Sequence, residues 1–168
     1  PEVSGIVSDA DGALVALAVA NKLLSMAGSG DAVLGDVVVR TTICPNAPTM
    51  PHDPVPFMSS YVSFEELKRR ITFTDADAIV VTETSRGNRV ANFPLFGITP
   101  TVKEGWILRV SDDALNTMQN VTGEAARVIP LSMQDLTPID NGVHHLNGLG
   151  ELPEGTTAPC LGVGLTSI

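Results

Sequence analysis

Aromatic side chains are scarce in this sequence, at 4% of its residues. The core must therefore be built from valine, leucine, isoleucine and alanine. Cysteine is scarce as well, because Cys44 and Cys160 are the only two. Two distant cysteines are too few for a disulfide framework and do not form the close pairs of zinc sites. We therefore expect reduced thiols and a cytoplasmic location.

Positive charge and long apolar runs are also in short supply. Lys and Arg number 10 against 19 Asp and Glu, which gives a formal net charge of -9. A field of this sign repels phosphate backbones, so we expect no nucleic acid partner. The longest apolar run, residues 13–20, is far shorter than a membrane span. We therefore expect no membrane partner.

The composition that is present fits one packed globule. Hydrophobic residues make up 43% of the 168 residues and charged residues 17%. This length is that of one ordinary domain, so we expect a single α/β domain over residues 1–168. No Met precedes Pro1, and a processed chain or a fragment of a longer protein is therefore an open alternative.

Strand and helix patterns alternate along the first half of the chain. Buried strands are predicted at residues 3–7, 36–43 and 78–82, and helices at 12–27 and 63–70. This order predicts a three-layer α/β fold with a mostly parallel sheet and helices on both faces. The later predicted elements are strands at residues 95–99, 106–110, 128–131 and 160–165, and a helix at 112–122.

Helix ends carry specific signals. An aspartate before Gly12 is expected to cap the first helix, and Ser63 with Glu66 forms a capping box for the second. Ser111 is expected to cap the third helix and Gly123 to end it.

The first predicted helix is apolar on most of its surface. Leu14, Leu17, Ala18 and Asn21 recur at helical spacing. We therefore expect this helix to lie between the sheet and another layer.

Polar residues follow the carboxyl ends of the predicted strands. Parallel sheets usually bind ligands beyond these ends. Carboxylates and imidazoles from separate loops are ligands for zinc or manganese. The expected metal ligands are Asp9, His52, Asp53 and Glu83. The expected substrate-binding residues are Asp11, Cys44, Arg86, His144 and His145. The pattern assigns no residue a catalytic role.

Structural interpretations of the same residues stay open. Asp9 caps a helix in this alternative, His52 and Asp53 are solvated in a loop, and His144 and His145 lie on the surface. Cys44 is either a nucleophile served by His52 or an inert thiol. Arg86 either binds a substrate carboxylate or pairs with Glu83 in the turn at residues 82–88.

A proline-rich segment separates the second strand from the second helix. Residues 45–56 contain five prolines in twelve positions. Proline at this density excludes a helix or a central strand and predicts a long, stiff loop. Loops of this length in compact domains are more often functional than ordinary connections.

A family resemblance is carried by residues 8–13, 43–49, 51–52, 54–58 and 100–109. These segments resemble a bacterial and archaeal domain-of-unknown-function family, DUF1177. The match covers most of the chain and implies no activity. Members of the family are longer, so the chain looks like the central and later part of one.

A more distant similarity is to zinc-dependent aminopeptidases of the glutamyl-aminopeptidase type. Asp9 would match their metal-bridging aspartate and Glu83 a later acidic ligand, and the Gly-rich strand at residues 161–165 fits their order. The resemblance implies a zinc-exopeptidase-like fold. The chain departs from it at Pro45 and Asn46, where those enzymes carry two glutamates.

Two functions of different classes follow. The first is a metal-dependent hydrolase of a small peptide or amide, with zinc or manganese as its cofactor and a small molecule or peptide as its ligand. The second is a non-catalytic binding or self-assembling structural protein that has lost the catalytic glutamates. We expect a homo-oligomer, because the aminopeptidases that the chain resembles form closed assemblies.

Overall fold

The computed structural model of the chain describes residues 6, 10–71, 75–86, 93–104, 106–131 and 157–167. Backbone contacts divide the chain into two compact units, Pro1–Thr72 and Phe73–Ile168. We call them the N-terminal unit and the C-terminal unit.

The N-terminal unit begins with helix α1, Asp11–Gly28, which confirms the helix predicted at residues 12–27. Ala10 occupies the N-cap position without a side-chain hydrogen bond, and Asp11 lies in the first turn. The capping aspartate expected before Gly12 is therefore not at the N-cap, and Asp9 lies outside the described residues. The backbone N–H of Ser29 ends the helix by donating to the carbonyls of Ser25 and Met26.

The strand predicted at residues 36–43 is wrong. The structure gives this segment no regular structure, and most of its side chains are exposed. Val37 is 55% exposed, Val38 53% and Ile43 70%. A strand needs a neighbour for its backbone hydrogen bonds, and the described residues offer this segment none.

The proline-rich segment forms a compact hairpin. Strands β1, Thr49–Met50, and β2, Phe57–Met58, pair antiparallel. The backbone N–H of Ser59 donates to the Pro48 carbonyl at 2.7 Å and closes the hairpin base. Two-residue strands flanking prolines agree with the prediction of a loop that holds neither helix nor central strand.

Helix α2, Phe64–Ile71, confirms the predicted short helix. The Glu66 backbone N–H donates to Ser63 Oγ at 3.2 Å, as half of the capping box requires. Glu66 also accepts a hydrogen bond from Arg70 Nε at 2.8 Å, one turn later. At the far end of α2, Arg40 donates to the Arg70 carbonyl at 3.4 Å.

Within the described residues, the C-terminal unit forms one five-stranded sheet and one helix. Its elements are β3, Ile79–Arg86; β4, Phe96–Ile98; β5, Val102–Lys103; β6, Trp106–Ile107; α3, Asp112–Thr122; and β7, Cys160–Ser167. The strand order is β3-β7-β5-β6, and β4 also pairs with β7.

A mixed α/β fold is thus confirmed, but the described strands do not form the expected, mostly parallel sheet. Among the strands that the structure describes, only β3 and β7 pair in parallel, from Ile79↔Cys160 to Arg86↔Ser167. The other named strands pair antiparallel. For β5 and β6 the reason is the short connection, because only two residues separate these strands. Connections this short permit only antiparallel pairing.

The core of the C-terminal unit lies against β7 and its neighbours. Ile129 is fully buried, with Val81 and Phe93 packed against it. Val102 and Cys160 are 1% exposed, and Thr99 is fully buried. Aliphatic side chains therefore dominate this core, as the low aromatic content predicts.

Helix α3 confirms both of its predicted ends. Ser111 Oγ accepts from the Ala114 backbone N–H, and Gly123 ends the helix in the left-handed region with φ 71°. The strand predicted at 128–131 is reduced to one bridge between Ile98 and Val128. The predicted strand at 3–7, apart from Ile6, and the predicted loop at 138–150 lie outside the described residues.

Candidate functional site

The candidate site residues divide between the two units and the part of the chain that is not described. Asp11, Cys44, His52 and Asp53 belong to the N-terminal unit, and Glu83 and Arg86 to the C-terminal unit. Asp9, His144 and His145 lie outside the described residues.

His52 and Asp53 lie in the loop of the β1–β2 hairpin, and both are exposed. His52 Nδ1 is 3.1 Å from the Val55 carbonyl oxygen. The His52 ring centroid is 5.8 Å from that of Phe57, with the rings tilted by 50°. An imidazole whose Nδ1 donates to a carbonyl presents Nε2 outward as the available ligand atom. His52 can therefore contribute one ligand to a metal or a hydrogen bond to a substrate.

Cys44 is exposed at the start of the turn that leads into the hairpin. The Ala47 backbone N–H donates to the Cys44 carbonyl at 3.2 Å. The Tyr61 hydroxyl donates to the Asn46 carbonyl at 2.9 Å and ties this turn to the segment before α2. The turn therefore holds an accessible thiol on a backbone fixed by two hydrogen bonds.

Asp11 lies in the first turn of α1 and is exposed. A carboxylate at this position interacts favourably with the helix dipole. Helix stabilisation therefore accounts for Asp11 without a ligand.

Glu83 lies within β3 rather than in a turn after it. Strand β3 pairs with β7 along eight residues, so the polar turn predicted at 82–88 is wrong as far as Arg86, the last residue of the strand. Glu83 is half-buried, and its Cα partner is Gly164, which is buried.

The expected metal ligands do not form a group within the part of the chain that is described. No three His, Cys, Asp or Glu side chains among those residues lie together as a metal site would require. The convergence of Asp9, His52, Asp53 and Glu83 on a common point stays a prediction.

Cys160 is chemically protected. It is 1% exposed on β7, and burial raises the pKa of its thiol from 9.0 to about 12. The thiolate is the nucleophilic form, so Cys160 is inert at neutral pH.

Two features escaped the sequence interpretation. Trp106 on β6 is 74% exposed. The sequence does not predict this exposure, because a strand of two residues is too short to show an alternating pattern of apolar and polar residues. Leu24 extends the helical spacing of Leu14, Leu17 and Asn21 by one step, and these three leucines are exposed rather than covered by another layer. Continuing the periodicity by one turn would have found Leu24.

Helix α1 is long and apolar enough to cross a membrane by length and composition. Its 18 residues have a mean hydropathy of 1.2, and among the described helices it alone meets this test. Buried helices of other proteins and signal sequences meet the same test, so this property does not assign α1 to a membrane.

Comparison with known proteins identifies a family. The chain matches the family described as "Protein of unknown function (DUF1177)" over residues 1–168. No curated protein and no solved structure matches it significantly. The similarity to zinc-dependent aminopeptidases is therefore not supported by these comparisons. The chain belongs to the DUF1177 family.

Proposed function

We propose that the chain is a non-catalytic, self-assembling cytoplasmic protein whose N-terminal unit supplies the assembly surface. The observation that carries this proposal is the exposed apolar surface of that unit. Among its described residues only Gly12 is buried. Its exposed large hydrophobic side chains are Ile6, Leu14, Leu17, Val19, Leu24, Val33, Leu34, Val37, Val38, Ile43, Met50, Tyr61 and Val62.

Single exposed hydrophobic residues are normal, but contiguous ones mark interfaces. These residues cluster in α1 and in the segment that follows it, where Leu34 is 108% exposed. Each apolar side chain left in water forgoes about 1.5–3 kcal/mol relative to full burial. Association that covers several of them would therefore gain favourable free energy to set against the entropic cost of association.

The mass of the protein in solution tests the proposal. Sedimentation equilibrium over a hundredfold range of concentration should show association above the chain mass of 17.6 kDa. Val121→Glu, at a 77% exposed position of the C-terminal unit, should leave association unchanged. A chain that stays at its monomer mass at every concentration would contradict the proposal.

The second candidate is a metal-dependent hydrolase of a small peptide or amide. In this candidate, the complete chain has a three-layer, zinc-exopeptidase-like fold with a mostly parallel sheet. Its metal would be zinc or manganese, with Asp9, His52, Asp53 and Glu83 as ligands. Its substrate-binding residues would be Asp11, Cys44, Arg86, His144 and His145.

The position of Glu83 supports this second candidate. Glu83 is half-buried on the one parallel pair among the described strands, opposite Gly164. Burying a carboxylate is costly, and such residues are enriched in functional sites.

Metal content and amide hydrolysis test the second candidate. Glu83→Gln should lower zinc or manganese binding and amide turnover, because it removes one anionic ligand. Glu104→Gln is the matched control at an exposed turn. Absence of metal binding and turnover with both metals added, or equal effects of the two variants, would contradict it.

A further inference from the structure

We infer that α1 is the contact between two copies of this chain, which pair through one leucine–asparagine stripe. The stripe consists of Leu14, Leu17, Asn21 and Leu24. The inference rests on the proposed self-assembly and names the surface and the partner that carry it out.

The stripe has the spacing of a coiled-coil seam. Its members are separated by three, four and three residues, which alternates like positions a and d of a heptad. They span about 80° of the helix circumference and about 15 Å of its length. A second helix can therefore pack along the stripe with each leucine inserted between side chains of its partner.

The leucines of the stripe are exposed to solvent. Leu14 is 61% exposed, Leu17 44% and Leu24 73%. Ala16 and Leu23, which lie away from the stripe, are half-buried, whereas Val19, directly opposite the stripe, is 45% exposed. The described residues therefore leave the leucines of the stripe in water.

Asn21 selects the partner and its orientation. Its side-chain amide makes no hydrogen bond to any residue that the structure describes, and it sits between Leu17 and Leu24 on the stripe. Burying an amide is costly unless it finds a hydrogen-bond partner. A second copy aligned in parallel and in register places Asn21 against Asn21, with leucine against leucine in every other layer. An antiparallel pair would set each amide against a leucine.

The charge distribution permits the same occupant. The chain carries a net charge of -9, so two copies repel each other over most of their surfaces. Between Gly12 and Gly30 the sequence contains no Asp or Glu and a single cation, Lys22. The α1 surface is therefore one on which two acidic copies can meet. Lys22 near the middle of α1 opposes insertion into a lipid bilayer.

The flanks of the stripe permit close approach. Ala13, Ala18, Ala20 and Ser25 border it on either side. Small side chains at these positions allow the two helix backbones to come near each other. Because α1 is already folded in each copy, pairing does not carry the cost of helix nucleation that limits short isolated coiled coils.

Sedimentation equilibrium of the full chain and its variants tests the surface. Leu24→Glu should weaken dimerisation at least tenfold, whereas Val121→Glu, at a similarly exposed position of α3, should leave it unchanged. Circular dichroism checks that both variants keep the wild-type helix content. If Leu24→Glu associates as tightly as wild type, the α1 contact is refuted while self-assembly by another surface stands.

Disulfide cross-linking tests the register. In a Cys44→Ser background, Leu17→Cys, which leaves Asn21 in place, should form a covalent dimer under mild oxidation, whereas Lys22→Cys, which lies off the stripe on α1, should not. Equal cross-linking of the two would refute the parallel, in-register pair. A monomeric wild type refutes both the contact and the proposed function. Co-sedimentation of that monomer with phosphatidylcholine vesicles would identify a membrane as the occupant instead.

Discussion

Thr99 links the end of β4 to β7. Removing its hydroxyl tests whether this link stabilises the C-terminal unit. Thr99 Oγ1 accepts from the Gly162 backbone N–H at 2.9 Å and donates to the Pro100 carbonyl at 2.8 Å. The Thr99 backbone N–H donates to the Gly162 carbonyl at 2.9 Å. Thr99 is fully buried, and Gly162 is buried as well. Water therefore cannot replace the lost oxygen.

Thr99→Val keeps the shape of the side chain and leaves the Gly162 N–H without an acceptor. A buried, unsatisfied donor costs about 1–3 kcal/mol in the free energy of unfolding. For a chain of this size each 1 kcal/mol lowers the melting temperature by about 2–4 °C. Urea denaturation gives the free energy, and amide hydrogen exchange of Gly162 should become faster in the variant.

Thr99→Ser is the matched control. It keeps the hydroxyl and loses one methyl group, which should cost about 0.8 kcal/mol. If Thr99→Val is as stable as wild type, or if Thr99→Ser is the more damaging change, the hydroxyl does not hold the two strands together.

Three further predictions concern packing, capping and thiol chemistry. A Cβ at Gly97 would lie 2.7 Å from Phe93 Cζ, so Gly97→Ala should lower the free energy of unfolding by about 1–3 kcal/mol. An unchanged free energy of unfolding in urea denaturation would refute the close approach. Ser111→Ala should cost about 0.5–2 kcal/mol by removing the α3 cap, whereas Ser111→Asp should keep most of it. Iodoacetamide should modify Cys44 in the native protein and Cys160 only after unfolding. Burial raises the pKa of the Cys160 thiol from 9.0 to about 12, so the free energy of unfolding should fall as the pH rises from 9.0 to about 12. Cys160→Ala should remove that part of the decline. Rapid labelling of Cys160 in the native protein would contradict its burial.

Helices were predictable because their signals are local. The capping box at Ser63, the cap at Ser111 and the stop at Gly123 each act within a few residues, and the structure has all three. Both helix ends predicted for α3 are therefore correct. The cap of α1 failed because the N-cap is Ala10, whose side chain cannot accept a hydrogen bond.

Strands were harder to predict because their partners are distant in sequence. Residues 36–43 have strand composition, yet the described residues provide no partner. In contrast, β3 extends through Arg86 because β7, more than seventy residues later, pairs with it along its whole length. Composition gives the tendency to form a strand, and only the partner decides where the strand ends.

The candidate site shows the same limit. Sequence reasoning selected His52, Asp53 and Glu83 by residue type and by their position after predicted strands. The structure puts the first two in an exposed hairpin loop and the third inside a strand. Residue type predicts what a side chain can bind, but it does not predict which side chains meet.

The central position of β7 has a consequence for synthesis on the ribosome. It pairs with β3, β4 and β5, although it follows all of them in the sequence. The earlier strands therefore emerge from the ribosome without the neighbour that satisfies their backbone, and the sheet can close only after β7 has emerged. Nascent chains that stop before Cys160 should expose unpaired strand edges, which favour aggregation and recruit chaperones.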